Sequence, residues 1–213
     1  MAAGVIIGIC EAFGKDLDTQ SIIHAVLKVE QLLTTGGGFQ DQVGGMLPGI
    51  KTCTSQKSIP IQVEFEQLDT DQFIPKLNEH LVVVYTGRTR LARDLLQDVI
   101  RRWWSRQPEI VSLVDQLVLN AVDMKQAILN GNLEEVGSCL NKYWSQKKAI
   151  ARGTEPSNVK KMFNILTPHI YGGELMGAGG GGFLVLITKK PNAVKEIKTL
   201  LTGEKEFSEL EFY

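Results

Sequence analysis

Several things are scarce in this sequence. Cysteine is scarce: Cys10, Cys53 and Cys139 form an odd, scattered set. They make no metal-ligand pattern and fit a reducing compartment, so a cytoplasmic location is expected. An excess of charge of one sign is absent. Lys plus Arg number 23 against 24 Asp plus Glu, a formal net charge of −1. That balance gives no electrostatic ground for nucleic acid or an acidic membrane as partner. Long apolar runs are absent as well. The longest, Met1–Cys10, is too short to span a bilayer, and no basic stretch precedes it as in a signal peptide. Internal repeats and low-complexity linkers are missing. What remains is a chain of 213 residues, 43% hydrophobic and 22% charged. This is ordinary globular composition, with room for one large domain or two small ones.

Hydrophobic periodicity supplies the elements. Residues 1–13 are apolar on every side, which predicts a helix buried in a core, with Gly14 as its C-cap. A buried helix is an odd place for a protein to begin, so Met1 reads as an internal cut or an alternative start. Asp18 is the expected N-cap of a second helix ending near Leu33, with an apolar stripe at Ile23, Val26, Leu27 and Leu33. The glycine-dense run from Thr34 to Gly49 predicts loop or turn. Residues 59–68 alternate as a strand does, and 72–79 suggest a short helix. Residues 81–86 (LVVVYT) are continuously apolar, which predicts a central strand buried on both faces. Three long helices follow Arg88, then a short helix around Val159–Leu166. A second glycine-rich loop spans Gly172–Gly182, followed by a strand at 183–188, a helix near Asn192–Leu201 and a last strand near Phe207–Phe212. The composition shift at Gly87–Arg90 divides the chain into expected lobes at 1–87 and 88–213.

Three places could carry chemistry, and each has two readings. Gly36-Gly37-Gly38 would let a backbone approach a ligand closely, and Asp41 just beyond could accept a proton from a substrate hydroxyl. The same residues could form a tight connection with a solvated Asp. Glu30 falls inside the apolar stripe of its helix, where a carboxylate is costly unless it is paired or binds metal; Mg²⁺ would suit it. A rim position with a basic partner is the alternative. Gly177–Gly182 holds five glycines in six positions ahead of a strand. Such a loop can cradle phosphate oxygens through its N–H groups, or it can serve a crowded backbone crossing. It is not a G-x-x-x-x-G-K-[ST] loop, since no Lys follows, and it precedes its strand where a dinucleotide fingerprint would follow one. His24, His80 and His169 are isolated, and nothing suggests a triad. Arg88, Arg90 and Arg93 could meet phosphate or form ion pairs at a helix start.

Two stretches together point to a family. TTGGGFQDQVGG resembles a segment of fucokinases and bacterial heptose-phosphate kinases. GELMGAGGGGFLVLI resembles the third signature of the GHMP kinases, and the similarity runs over essentially the whole chain, YTGRTRLARDLL included. The resemblance is to the fucokinase branch of that superfamily. It implies an α+β GHMP kinase fold: part of a ribosomal-protein-S5-like first lobe, then a ferredoxin-like helical/β second lobe. It also implies ATP-dependent phosphorylation of the anomeric hydroxyl of L-fucose. Asp41 would then activate the sugar hydroxyl and Glu30 would hold Mg²⁺. Gly37, Gly38, Phe39 and Gln42 would line the sugar site. Gly177, Ala178, Gly179, Gly180 and Gly181 would support the phosphate-binding region. The expected partners are sugar and ATP, with no nucleic acid and no membrane.

The sequence departs from that family in two respects. The P-x-x-x-G-L-G-[ST]-S-[SA] loop, which supplies most ATP-phosphate contacts, is absent with everything before it. A missing N-terminal part of the same polypeptide is therefore expected, and little activity is expected from these 213 residues alone. The third signature often has Lys near the position of Glu174, so a cation near phosphate is lost. Heptose-phosphate phosphorylation, or a non-catalytic interaction domain on the same scaffold, are the alternatives.

Overall fold

The computed structural model describes residues 2–33, 38–58, 61–87, 93–151, 153–177 and 179–213. It divides into two units, Met1–Thr70 and Asp71–Tyr213. The lobe boundary expected at 87/88 differs from this division. Strand Leu81–Tyr85 is hydrogen-bonded into the sheet of the second unit, which draws the preceding residues with it.

The first unit runs α1 (Ala2–Ala12), α2 (Thr19–Leu32), α3 (Gln40–Met46), β1 (Lys51–Ser55) and β2 (Val63–Gln67). Asp18 caps α2 as expected, accepting the Ser21 N–H at 2.7 Å. That bond also holds the Asp18 carboxyl below the usual carboxylate range. One face of α2 buries Ile22, Ile23, Val26 and Leu27. Ile23 meets Val43 of α3 and Val63 of β2, with Phe39, Met46, Leu47 and Cys53 packed around them. β1 and β2 form an antiparallel hairpin with Lys51 opposite Gln67 and Ser55 opposite Val63. Two expectations fail here. α1 buries none of its residues, and Val5 and Ile9 are 57% and 55% exposed. An all-round apolar helix needs partners on every side, and among the described residues this one packs chiefly against α2. The run Thr34–Gly49 is also not all loop. Once Val43 docks into the Ile23–Val63 core, Gln40–Met46 closes into two turns of helix despite Gly44 and Gly45.

The second unit is built on an antiparallel sheet of order β4-β5-β3-β6, with β3 Leu81–Tyr85, β4 Ile170–Leu175, β5 Phe183–Thr188 and β6 Glu211–Phe212. β3 occupies an inner position, as its apolar run predicted. Its helices are α4 (Phe73–His80), α5 (Arg93–Trp104), α6 (Pro108–Leu129), α7 (Leu133–Ile150), α8 (Ser157–Leu166) and α9 (Val194–Thr202). Val82, Val84, Leu184 and Leu186 of the sheet share one core with Trp144, Met162, Leu166, Ile197 and Leu201 from the helices.

β4 itself was not expected, because Gly172-Gly173 read as loop. Both residues are in the strand, paired with Ile187 and Leu186 of β5. They are glycine because α7 crosses β4 almost in backbone contact. A Cβ on Gly172 would lie 1.9 Å from the Gly137 carbonyl oxygen, and one on Gly137 would lie 2.6 Å from the Tyr171 carbonyl carbon. Asn141 bridges the same crossing. Its amide donates to the Tyr171 carbonyl at 3.0 Å and accepts from the Gly173 N–H at 3.2 Å.

Candidate functional site

Within the first unit, α2 and α3 bring Glu30 and Gln42 together. The fully buried Val43 pins α3 onto the Ile23 face of α2. One residue earlier on α3, Gln42 is carried to the end of α2, and its Nε2 donates to Glu30 Oε2 at 2.6 Å. Glu30 is half-buried, neither in the core nor free in solvent. Gln42 is only 3% exposed, and its Oε1 is buried with no hydrogen-bond partner. A buried acceptor left unsatisfied costs about 1–3 kcal/mol, so the amide is arranged at a cost to stability. Such an acceptor is suited to the hydroxyl donors of a ligand.

Asp41 sits in the first turn of α3 with its carboxylate exposed. It stands on a helix, not on the rigid turn expected of it. Phe39 is half-buried among the core residues of this unit, where it anchors the entry to α3. Gly38 has no strict steric need to be glycine, since a Cβ there would meet only the movable end of Gln40. Gly37 lies outside the described residues.

The second constellation belongs to the second unit. The described residues between β4 and β5, 176–177 and 179–182, form a turn in which the Met176 N–H donates to the Phe183 carbonyl at 2.8 Å. Gly177, Gly179, Gly180, Gly181 and Gly182 all have positive φ, from 70° to 156°. Turn geometry alone therefore requires these glycines, and their entropic cost no longer argues independently for a ligand. Ala178 lies outside the described residues. Thr154 holds the turn from one side: its carbonyl accepts the Gly180 N–H at 2.8 Å, and a Cβ on Gly179 would lie 2.5 Å from its methyl. Thr86 holds it from the other, donating Oγ1 and N–H to the Gly182 carbonyl at 2.8 and 2.9 Å.

Thr86, Thr154 and Lys147 are the residues sequence reading missed at this turn. A threonine that grips backbone carries no spacing signal. Arg88 and Arg90 lie outside the described residues. Those residues contain no group of three or more His, Cys, Asp or Glu poised to hold a metal ion. None of the helices is long and apolar enough to cross a membrane, among the residues described.

Residues 124–202 match the family of GHMP kinases, C terminal. Those residues belong to that family, and the chain carries its α+β fold. The mevalonate kinase of L. major, solved with R-mevalonate, superimposes over 100% of this chain and 63% of its own with a TM-score of 0.74 at 16% identity. Curated proteins that the chain resembles include fucokinases and, at 22% identity over 203 residues, the D-glycero-alpha-D-manno-heptose 7-phosphate kinase of Campylobacter jejuni. The bifunctional fucokinase/GDP-fucose pyrophosphorylase of Arabidopsis thaliana is 34% identical over 208 residues, 97% of this chain and 20% of that protein. The L-fucokinase/L-fucose-1-P guanylyltransferase of Bacteroides fragilis is 33% identical over 203 residues, 95% of this chain and 21% of that protein. The chain thus spans about a fifth of the length of these two fucokinase relatives.

Proposed function

We propose that this chain is part of an ATP-dependent sugar kinase that phosphorylates the anomeric hydroxyl of L-fucose. The observation that carries this reading is the Gln42 amide, a buried acceptor without a partner, held beside Glu30 in a chain similar to fucokinases. In the proposed reaction the anomeric oxygen bonds to the γ-phosphorus of ATP. The bond from that phosphorus to the β,γ-bridging oxygen breaks, and ADP leaves with its electron pair. Asp41 takes the hydroxyl proton, for which its exposed carboxylate is suited. Gln42 Oε1 accepts a second sugar hydroxyl and fixes the ring.

Mg²⁺ would spread the charge of the β- and γ-phosphates. Glu30 fits that ion, because Mg²⁺ in kinase sites takes one or two protein carboxylates and completes its shell with phosphate and water. The carboxylate is half-buried, and one of its oxygens is oriented by Gln42. We place the protein in the cytoplasm; Cys10, Cys53 and Cys139 are all free thiols, which agrees with a reducing compartment.

The test is sugar titration followed at the Gln42 side-chain amide by NMR. L-fucose is expected to shift that resonance and D-glucose to leave it in place. Equal response to both sugars, or to neither, overturns the assignment.

A further inference from the structure

Beneath the glycine turn lies a buried charge pair that the proposed chemistry leaves unused. Lys147 near the end of α7 and Glu174 near the end of β4 are each 10% exposed at the side chain. Lys147 Nζ donates to the Leu175 carbonyl at 2.5 Å and lies 3.7 Å from Glu174 Oε2. The rings of Tyr143 and Trp144 stand 5.2 and 5.7 Å from the same ammonium. Glu174 Oε2 is buried with no hydrogen-bond partner. A buried pair adds stability only when its geometry satisfies both charges, and this one does not. Its single strong hydrogen bond goes to backbone instead, at Leu175, which precedes the turn by one residue.

The rest of the cradle makes that bond consequential. The helix carrying Lys147 is locked against β4 by the Gly137–Gly172 crossing and by Asn141. The segment leaving the helix brings Thr154 to Gly179 and Gly180. Lys147 therefore holds the Leu175 side of the stem and Thr154 the tip, while Thr86 holds the Gly182 side.

We propose that Lys147 is a positioning residue for the glycine turn, its ammonium fixing the Leu175 carbonyl, with the buried Glu174 carboxyl lying beside it. The proposal rests on the kinase reading only for what the turn faces.

The pair has a titration of its own. Burial raises the Glu174 carboxyl from 4.5 to about 7, against the pull of Lys147. Burial also lowers the Lys147 ammonium, opposed by Glu174. Tyr143 is pushed up to about 12 by burial and by Glu174. Lys147 and Tyr143, both on α7, are the titratable groups that act on Glu174, and its partner across the sheet is Val185. Because Glu174 holds its proton more tightly in place than when solvated, the packed turn binds more protons than an opened one between pH 4.5 and about 7. Its protection therefore falls as pH rises through that window and levels off above it.

Amide hydrogen exchange of residues 179–182, corrected for intrinsic rates and referenced to β3, tests this. Lys147→Met is expected to speed exchange of the turn by about tenfold or more, the loss of a charged hydrogen bond. Lys147→Arg keeps a donor and should stay within about threefold of wild type. Protection in wild type should drop by at least about threefold from pH 5.5 to 7.5, and Glu174→Gln should abolish that drop. Unchanged exchange in a folded Lys147→Met, or a pH response that survives in Glu174→Gln, overturns the proposal. Glu174→Gln keeps the test decisive if Lys147→Met does not fold. MgADP binding to the complete gene product reports separately. Absence of binding there, with the exchange results as expected, retains the positioning role and overturns the kinase reading of the turn.

Discussion

Glu30 and Glu174 each stand beside a nitrogen donor on a neighbouring helix, yet their surroundings differ. Glu30, in the first unit, is half-buried and accepts the Gln42 amide directly at 2.6 Å. Glu174, in the second, is enclosed by a sheet and helix core, and its Lys147 partner lies at 3.7 Å while bonding to backbone. The first arrangement leaves an amide oxygen to be satisfied by something else; the second leaves a carboxylate oxygen unsatisfied within the fold. A neutral amide beside a partly solvated carboxylate can offer an acceptor to a ligand at modest cost. The charged pair serves the backbone that Lys147 grips, the Leu175 carbonyl. The two sites are told apart by where the one good hydrogen bond goes, to a carboxylate in the first and to backbone in the second, since Gln42 at 3% exposed lies as deep as Glu174 at 8%.

The largest effect that sharpens this comparison is on turnover. In the complete gene product, Asp41→Asn is expected to lower kcat by about a hundredfold or more, read by ADP release with L-fucose. Unchanged turnover would favour a non-catalytic scaffold. Next comes packing. Leu184→Ala in the second core should cost about 2–5 kcal/mol by denaturant titration, whereas Val5→Ala on α1 should fall within about 0.5 kcal/mol, since that helix buries nothing. Equal costs would mean that α1 is covered in solution. The buried carboxylate comes third. Wild-type stability should fall as pH rises from 4.5 toward 7 by at most about 3 kcal/mol, and Glu174→Gln should flatten that slope, measured as thermal midpoint against pH. The smallest effect is local: Asp18→Ala removes the cap of α2 and should cost about 1 kcal/mol.

Legibility followed the number of faces an element presents. The inner position of β3 was legible in the apolar run LVVVY, but only the Val82 and Val84 face is buried; Leu81, Val83 and Tyr85 are half-buried. α2 was read through Asp18 and through Ile23, Val26 and Leu27 of its stripe, which are local signals; Leu33, also expected in the stripe, is 67% exposed. β4 was missed because Gly172-Gly173 looks like loop until α7 is laid across it. α3 was missed for a related reason: Gly44 and Gly45 argue against helix, and only Val43 docking on Ile23 overrides them. At the site, Glu30 drew notice as a carboxylate in an apolar stripe, and Gln42 through the likeness of its motif. Lys147 carried no signal, since a lysine in the last turn of a helix ordinarily favours the helix dipole and points to water.

The amino-acid sequence by itself determined the family likeness, the inner strand, the capped helix and the residues that bear the candidate chemistry. These depend on runs, caps and motifs within a few residues of one another. Only the tertiary structure decided that Gln42 meets Glu30, that the glycines of the turn serve its positive φ angles, and that Lys147 lies beneath it. Each of those depends on two segments far apart in the chain meeting at van der Waals distance, and burial, which sets the worth of every polar contact, exists only once they have met.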